Sequence, residues 1–102
     1  MKSSFYIKLP DGRIAVADLI HITNNHYVIS RINVPIAWRG LGYGRKLLQQ
    51  IIEEADAENT ILTLGVYDSG GLTKRQLIAW YKRYGFKKSK TSYSRKPKGK
   101  VQ

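Results

Sequence analysis

Cysteine is absent from the 102 residues. That excludes a disulfide framework, a thiolate nucleophile and a cysteine-ligated metal. Acidic residues are scarce: seven Asp and Glu stand against eighteen Lys and Arg, for a net charge of +11. The surplus is uneven. From Lys87 onward there are seven basic residues (Lys87, Lys88, Lys90, Arg95, Lys96, Lys98, Lys100) and no acidic one, which leaves about +4 for the rest of the chain. No apolar run approaches a membrane span, and the N-terminus lacks the apolar stretch of a signal peptide. A cytoplasmic protein without a membrane partner is the expectation. The 42% hydrophobic content suffices for one small core. We expect a single domain over residues 1–95 and a disordered basic tail over 96–102, with no internal repeat.

What the chain does have is organised around one stretch, Ile32-Asn33-Val34-Pro35-Ile36-Ala37-Trp38-Arg39-Gly40-Leu41-Gly42-Tyr43-Gly44. A β-rich run ends at Val34, and Pro35 removes a backbone donor, so strand pairing stops there. Glycine then stands at every second position of Gly40-Leu41-Gly42-Tyr43-Gly44. Leu47, Leu48, Ile51, Ile52 and Ala55 follow at helical spacing, predicting a helix over about 44–58. A strand that feeds a glycine turn and then a helix fits two readings: a tight connection, or an anion site. In the second, glycines let the backbone approach a ligand and the free N–H groups of the helix start point at it. Arg39, Arg45 and Lys46 add positive charge there, which opposes the helix dipole unless an anion docks. The spacing matches neither a dinucleotide fingerprint nor a Walker loop.

Upstream, Phe5 to Leu9 reads as a strand and Pro10-Asp11-Gly12-Arg13 as a turn. Ile14 to Ile20 and His26 to Val34 read as two more strands, joined at Asn24-Asn25. Asparagine tolerates positive φ, so a tight hairpin is expected. Residues 5–34 thus form a three-stranded antiparallel meander. Downstream, Ile61 to Val66 is a strand, parallel to the one ending at Val34 because a helix crossover joins them. Two parallel strands that diverge at the glycine loop would leave a cleft. Tyr67 to Leu72 is a loop. Thr73 and Gln76 have capping-box spacing, and Leu77, Trp80, Tyr81 and Tyr84 mark a second helix that Gly85 stops. Phe86 opens a strand, and Tyr93-Ser94-Arg95 is a last one. The fold class is α/β, with a mixed sheet.

Two of these segments together resemble a known family. Arg39-Gly40-Leu41-Gly42-Tyr43-Gly44, entered from a strand, resembles the acetyl-CoA loop of the GCN5-related N-acetyltransferases (GNAT). Leu77-Ile78-Ala79-Trp80-Tyr81-Lys82-Arg83-Tyr84-Gly85-Phe86 is similar to that family's later helix, with its tyrosine shortly before Gly-Phe. The resemblance covers roughly residues 14–95 and implies a short GNAT member that transfers an acetyl group from acetyl-CoA to an amine acceptor: a small molecule, a protein, or an RNA-linked amine. It implies that the Ile32 and Val34 amides meet the acetyl carbonyl and the pantetheine arm. It also implies that the backbone of Arg39, Gly40, Leu41, Gly42, Tyr43, Gly44 and Arg45 holds the pyrophosphate. Tyr81 matches the tyrosine placed near the CoA sulfur as general acid; it also sits where a core aromatic would. A phenol suits the acid role because it stays protonated at neutral pH.

The chain departs from the family in two ways. The first turn of the Tyr81 helix reads Thr73-Lys74-Arg75 where the family often has an asparagine. The family's N-terminal helices, which wall the acceptor site, have no counterpart, so the acceptor side is open or is completed by a second copy in a homodimer. No general base is legible. His21, His26 and Asp68 are the titratable residues near the presumed cleft, and water could relay the proton. Two other functions fit the sequence: a nucleic-acid-binding module acting through the basic tail with Tyr93, and a truncated CoA-binding protein without turnover.

Overall fold

The computed structural model describes residues 1–65, 72–90 and 92–98. Six strands and two helices make one mixed sheet with both helices on one face. In chain order they are β1 (Ser4–Lys8), β2 (Ile14–Thr23), β3 (His26–Asn33), α1 (Tyr43–Ala57), β4 (Ile61–Leu64), α2 (Lys74–Arg83), β5 (Lys87–Ser89) and β6 (Ser92–Arg95), with a 3-10 turn at Ile36–Trp38. The strand order is β1-β2-β3-β4-β6-β5. The antiparallel meander stands as read from the sequence, and β3 pairs with β4 in parallel. Val66 and the 67–71 loop, including Asp68, lie outside the described residues.

The two hairpin turns of the meander work differently. At the first, Gly12 takes φ +90° and its N–H donates to Leu9 O at 3.0 Å, the left-handed position that the sequence signal assigns to glycine. At the second, neither Asn24 nor Asn25 has positive φ. A register shift between His21 and Thr23 takes up the twist instead, as a bulge beside an ordinary turn can.

The core lies between the sheet and α1. Leu47, Leu48, Ile51 and Ala55 are fully buried against Phe5, Ala15, Ala17, Leu19 and Ile29. The two alanines under the helix are small, so α1 sits close to the sheet. Ile52, expected in the buried stripe, is only half-buried at its edge. On the opposite face, Tyr6, Ile14 and Ile20 alternate with buried neighbours and remain exposed. The second helix starts with a complete capping box. Gln76 N–H donates to Thr73 Oγ1 at 3.2 Å, and Thr73 N–H donates to Gln76 Oε1 at 2.9 Å. It ends at Gly85, φ +93°.

Arg95 locks the C-terminal half to α1. It is 4% exposed, donates through Nη1 and Nη2 to Asp56 at 2.8 and 3.0 Å, and through Nε to Tyr84 O at 2.8 Å. Although counted with the basic C-terminal run in the sequence, it belongs to the interior. Lys98 continues the anchored chain, its N–H donating to Asp56 Oδ1 at 2.9 Å. The Arg95 hydrogen bonds hold the Asp56 carboxyl below the usual carboxylate range. Its stabilising contribution is therefore complete above the unfolded pKa and is lost as pH falls through the lower, folded value. Arg95→Ala leaves the Tyr84 carbonyl without its donor and the half-buried Asp56 carboxylate with only the Lys98 N–H. Urea denaturation is expected to show a loss on the order of 3 kcal/mol, and a flatter acid limb; an unchanged midpoint would contradict the role of the clamp.

Candidate functional site

The strands that frame the site are the parallel pair. Pairing between β3 and β4 runs from His26↔Ile61 to Val28↔Thr63 and stops there. Beyond it, β3 continues to Asn33 against β2 alone, while β4 stays paired with β6 through Leu64↔Tyr93. The two strands therefore part. Among the described residues, the β4-side edge of β3 from Ile29 onward has no strand partner.

This gap opens into a cavity of 960 Å³, within the usual range for a ligand site. Its lining brings together every residue that the sequence assigned to acetyl-CoA or to acid catalysis: Ile32, Val34, Arg39, Gly40, Leu41, Gly42, Tyr43, Gly44, Arg45 and Tyr81. His21 and His26 are not among the lining residues. His21 stacks on Tyr27 with ring centroids 4.6 Å apart, and His26 Nε2 lies 3.0 Å from Thr63 Oγ1.

The glycine loop takes the conformation an anion site needs. Gly40 and Gly42 have φ +79° and +90°, and a Cβ at either would meet nothing within 4 Å. Backbone conformation, not crowding, calls for glycine there. Gly42 is the N-cap of α1, with no side-chain cap and no acidic residue in the first turn. The first N–H groups of α1 thus open onto the cavity without an internal acceptor. At Gly44 a Cβ would stand in ordinary contact, 3.9 Å from Val34 Cγ2 and 4.0 Å from Trp80 Cη2, so neither space nor backbone conformation calls for glycine there. Arg39 braces the loop, Nε donating to Val34 O at 2.8 Å.

Two supports were not legible in the sequence. Trp38 lines the cavity, packs edge-on against Tyr43 at 6.3 Å, and donates through Nε1 to Asp11 Oδ2 at 2.8 Å. Asp11 comes from the β1–β2 turn and also accepts from Arg13 Nε at 2.8 Å and Arg13 N–H at 3.0 Å. These bonds, the Arg13 side chain first and Trp38 next, hold the Asp11 carboxyl down to about 2. A distant hairpin thereby fixes the aromatic that precedes the glycine loop. The other support is a stripe on α2, Gln76, Trp80 and Arg83, which lines the far wall. Its i, i+4, i+7 spacing was present in the sequence; reading the helix for its core face alone hid it.

Tyr81 sits between Trp80 and Phe86, with ring centroids at 4.9 and 5.5 Å. Burial pushes its phenol up to about 12, and among the described residues its hydroxyl has no hydrogen-bond partner. The cavity is electropositive: Arg39, Arg45 and Arg83 line it, together with Arg31, which is paired with Asp18, and no carboxylate lines it among the described residues. Donors, positive charge and a bare strand edge suit an acyl carrier with a phosphorylated end and an amide-bearing arm. The residues present therefore fit acetyl-CoA.

Arg39→Ala removes both a cavity charge and the brace on Val34 O. Acetyl-CoA binding is expected to weaken on the order of 1.5–3 kcal/mol, roughly tenfold to a hundredfold in Kd. Quenching of Trp38 and Trp80 fluorescence would follow it, since both tryptophans of the chain line the cavity. An unchanged Kd would remove Arg39 from the site.

Comparison with known proteins agrees with this architecture. Residues 2–88 match the acetyltransferase (GNAT) domain family. No curated protein matches the chain. Among solved structures, the chain is similar to the ribosomal-protein-S18-alanine N-acetyltransferase from Escherichia coli, at TM-score 0.76 and 18% identity, covering 100% of this chain and 74% of that one. An acetyltransferase from Bacillus cereus ATCC 14579 gives TM-score 0.70 at 19% identity over 91% of this chain and 71% of that one. The PaiA N-acetyltransferase from Thermoplasma acidophilum, solved in complex with coenzyme A, gives 0.65 at 15% over 92% and 61%. At these identities the neighbours speak to the fold alone. The match to the family spans most of the chain. The chain belongs to the GNAT acetyltransferase domain family.

Proposed function

We propose that the chain is an acetyl-CoA-dependent N-acetyltransferase acting on an amine acceptor. The observation that carries this reading is the convergence on one cavity of the bare β3 edge, the uncapped start of α1 and the Tyr81 phenol. The first N–H groups of α1, backed by Arg39 and Arg45, take the phosphates. The β3 edge around Ile32 and Val34 takes the amide-bearing arm in the manner of an added strand and holds the acyl carbonyl. Tyr81 offers its O–H where negative charge leaves on sulfur. Acetyl-CoA, when bound, supplies the activated acyl group and the thiolate leaving group.

The amine must arrive neutral. No carboxylate or imidazole lines the cavity among the described residues, and Asp68 lies outside them; in this reading water takes the proton. That favours acceptors that are partly neutral near pH 8. An α-amine, with a pKa of about 7.7–8.0, meets this condition far better than a lysine at about 10.4. The same observation favours a second reading, binding of CoA without turnover.

A thiol-release assay separates the two. Because the chain has no cysteine, free thiol reports CoA alone. The acceptor panel should start with peptides bearing a free α-amine, the class that the Escherichia coli neighbour's name specifies, and add lysine peptides, polyamines and aminoacyl-RNA. Acceptor-dependent thiol release supports the transferase. Acetyl-CoA binding with no release across the panel supports the binding protein.

A further inference from the structure

We infer that the surface formed by the end of α2 and the edge strand β5 is a docking site for a nucleic acid phosphate backbone. The chain's positive charge is not spread over the fold. Five of the seven acids are already paired: Asp11 with Arg13, Asp18 with Arg31, Glu54 with Lys2, Asp56 with Arg95 and Glu58 with the N-terminal ammonium. From Ser69 to the C-terminus there is no Asp or Glu at all. The carboxylate nearest to β6, Asp56, is consumed by Arg95 and by Lys98 N–H. Among the described residues, Lys82, Arg83, Lys87, Lys88 and Lys90 have no ion-pair partner.

Those cations are gathered. Lys82, Lys87 and Lys88 are exposed and line one depression of 430 Å³, with Gly85 and Phe86 at its base. Lys90 is exposed in the turn after β5, and Arg83, next to Lys82 in sequence, lines the acetyl-CoA cavity. The result is a shallow depression at the sheet edge lined by three lysines. Like charges this close repel one another, and a polyanion relieves that cost. Phe86, at its base, is 1% exposed, so the depression presents no apolar anchor. Acidic peptides bind specifically through buried aromatic or aliphatic anchors within a charged rim. A phosphodiester backbone needs only the charges, because release of its counterions supplies the affinity. The charge pattern therefore selects nucleic acid over an acidic protein segment, and it does so on folded residues as distinct from the tail beyond Lys98.

The test must separate this surface from net charge. The intact protein is titrated into a fluorescein-labelled single-stranded oligonucleotide of about 20 nucleotides, between about 50 and 200 mM salt, and followed by anisotropy. Lys87→Ala/Lys88→Ala is compared with Lys2→Ala/Lys8→Ala, which removes the same charge from the other end of the sheet. All four side chains except that of Lys2, which lies 4.0 Å from Glu54, are without an ion-pair partner among the described residues, and circular dichroism checks folding. The first pair is expected to lower affinity about tenfold near 100 mM salt and to reduce the log–log salt slope by about 1.4, two contacts' worth; the second should lower it less than about twofold. Equal losses in the two pairs would reduce the effect to net charge and overturn the proposal. So would absence of binding at about 50 mM salt, loss of binding on removal of residues 99–102 alone, or equal affinity for polyglutamate.

Discussion

Tyr81→Phe is expected to lower the rate of acetyl transfer about 10²-fold while leaving acetyl-CoA affinity within about twofold. The size follows from what the phenol can do. With its pKa raised to about 12 by burial, Tyr81 is a poor source of a net proton for a thiolate of pKa about 8.5; complete transfer would be uphill by about 5 kcal/mol. It is, however, a donor that never ionises in the working range. Aimed at charge that develops on sulfur, such a donor is worth about 10²–10³. The amine's own proton, lost on acylation, balances the reaction. The effect should therefore fall on kcat and leave ground-state binding nearly untouched. The same raised pKa predicts a stability signature. The unfolded phenol ionises near 10 and the folded one near 12, so stability falls as pH rises between those values, by on the order of 2–3 kcal/mol. Tyr81→Phe should flatten that alkaline limb. Undiminished kcat in the mutant would remove Tyr81 from the chemistry, whatever the limb does.

Gly42→Val should nearly abolish cofactor binding without unfolding the protein. Gly42 holds φ +90° at the N-cap of α1, a conformation that a β-branched residue adopts only at a cost of about 1–2 kcal/mol or more. A Cβ there meets no atom within 4 Å, so the penalty is conformational and the core is not pushed apart. The loop relieves it by rotating Gly42 out of the left-handed region, which turns the first N–H groups of α1 away from the cavity. Affinity for acetyl-CoA is expected to fall more than tenfold, against a loss of stability that leaves most of a typical 5–15 kcal/mol intact. Calorimetry and thermal melting on the same sample separate the two. Tight binding by Gly42→Val would show that the helix start does not hold the anion.

The strands and helices could be read from the sequence because each is announced by local chemistry. Glycine stands where φ is positive at Gly12, Gly42 and Gly85, Thr73 and Gln76 form the capping box their spacing predicts, and apolar period marks α1. A divergence of β3 and β4 was expected at the glycine loop, but their pairing already stops at Val28↔Thr63, well before Pro35. What stayed hidden depends on contacts far apart in the chain. Asp11 reaches Trp38 across 27 positions and Arg95 reaches Asp56 across 39, and no local pattern announces either pair. Arg95 shows the cost of reading charge by composition: one of the basic residues of the C-terminal run is an interior clamp. The hairpin at Asn24-Asn25 shows a different limit. Its two asparagines announce a turn, but the bulge before it decides the turn's conformation.

The central claim is that the cavity between β3 and β4 binds acetyl-CoA, and titration calorimetry of acetyl-CoA into the intact chain, with Arg39→Ala beside it, tests that most directly. Micromolar binding, one site per chain, lost or weakened at least tenfold in Arg39→Ala, is the predicted result. Folded, intact protein that takes up no acetyl-CoA would contradict the account, and with it the roles given to the glycine loop and Tyr81.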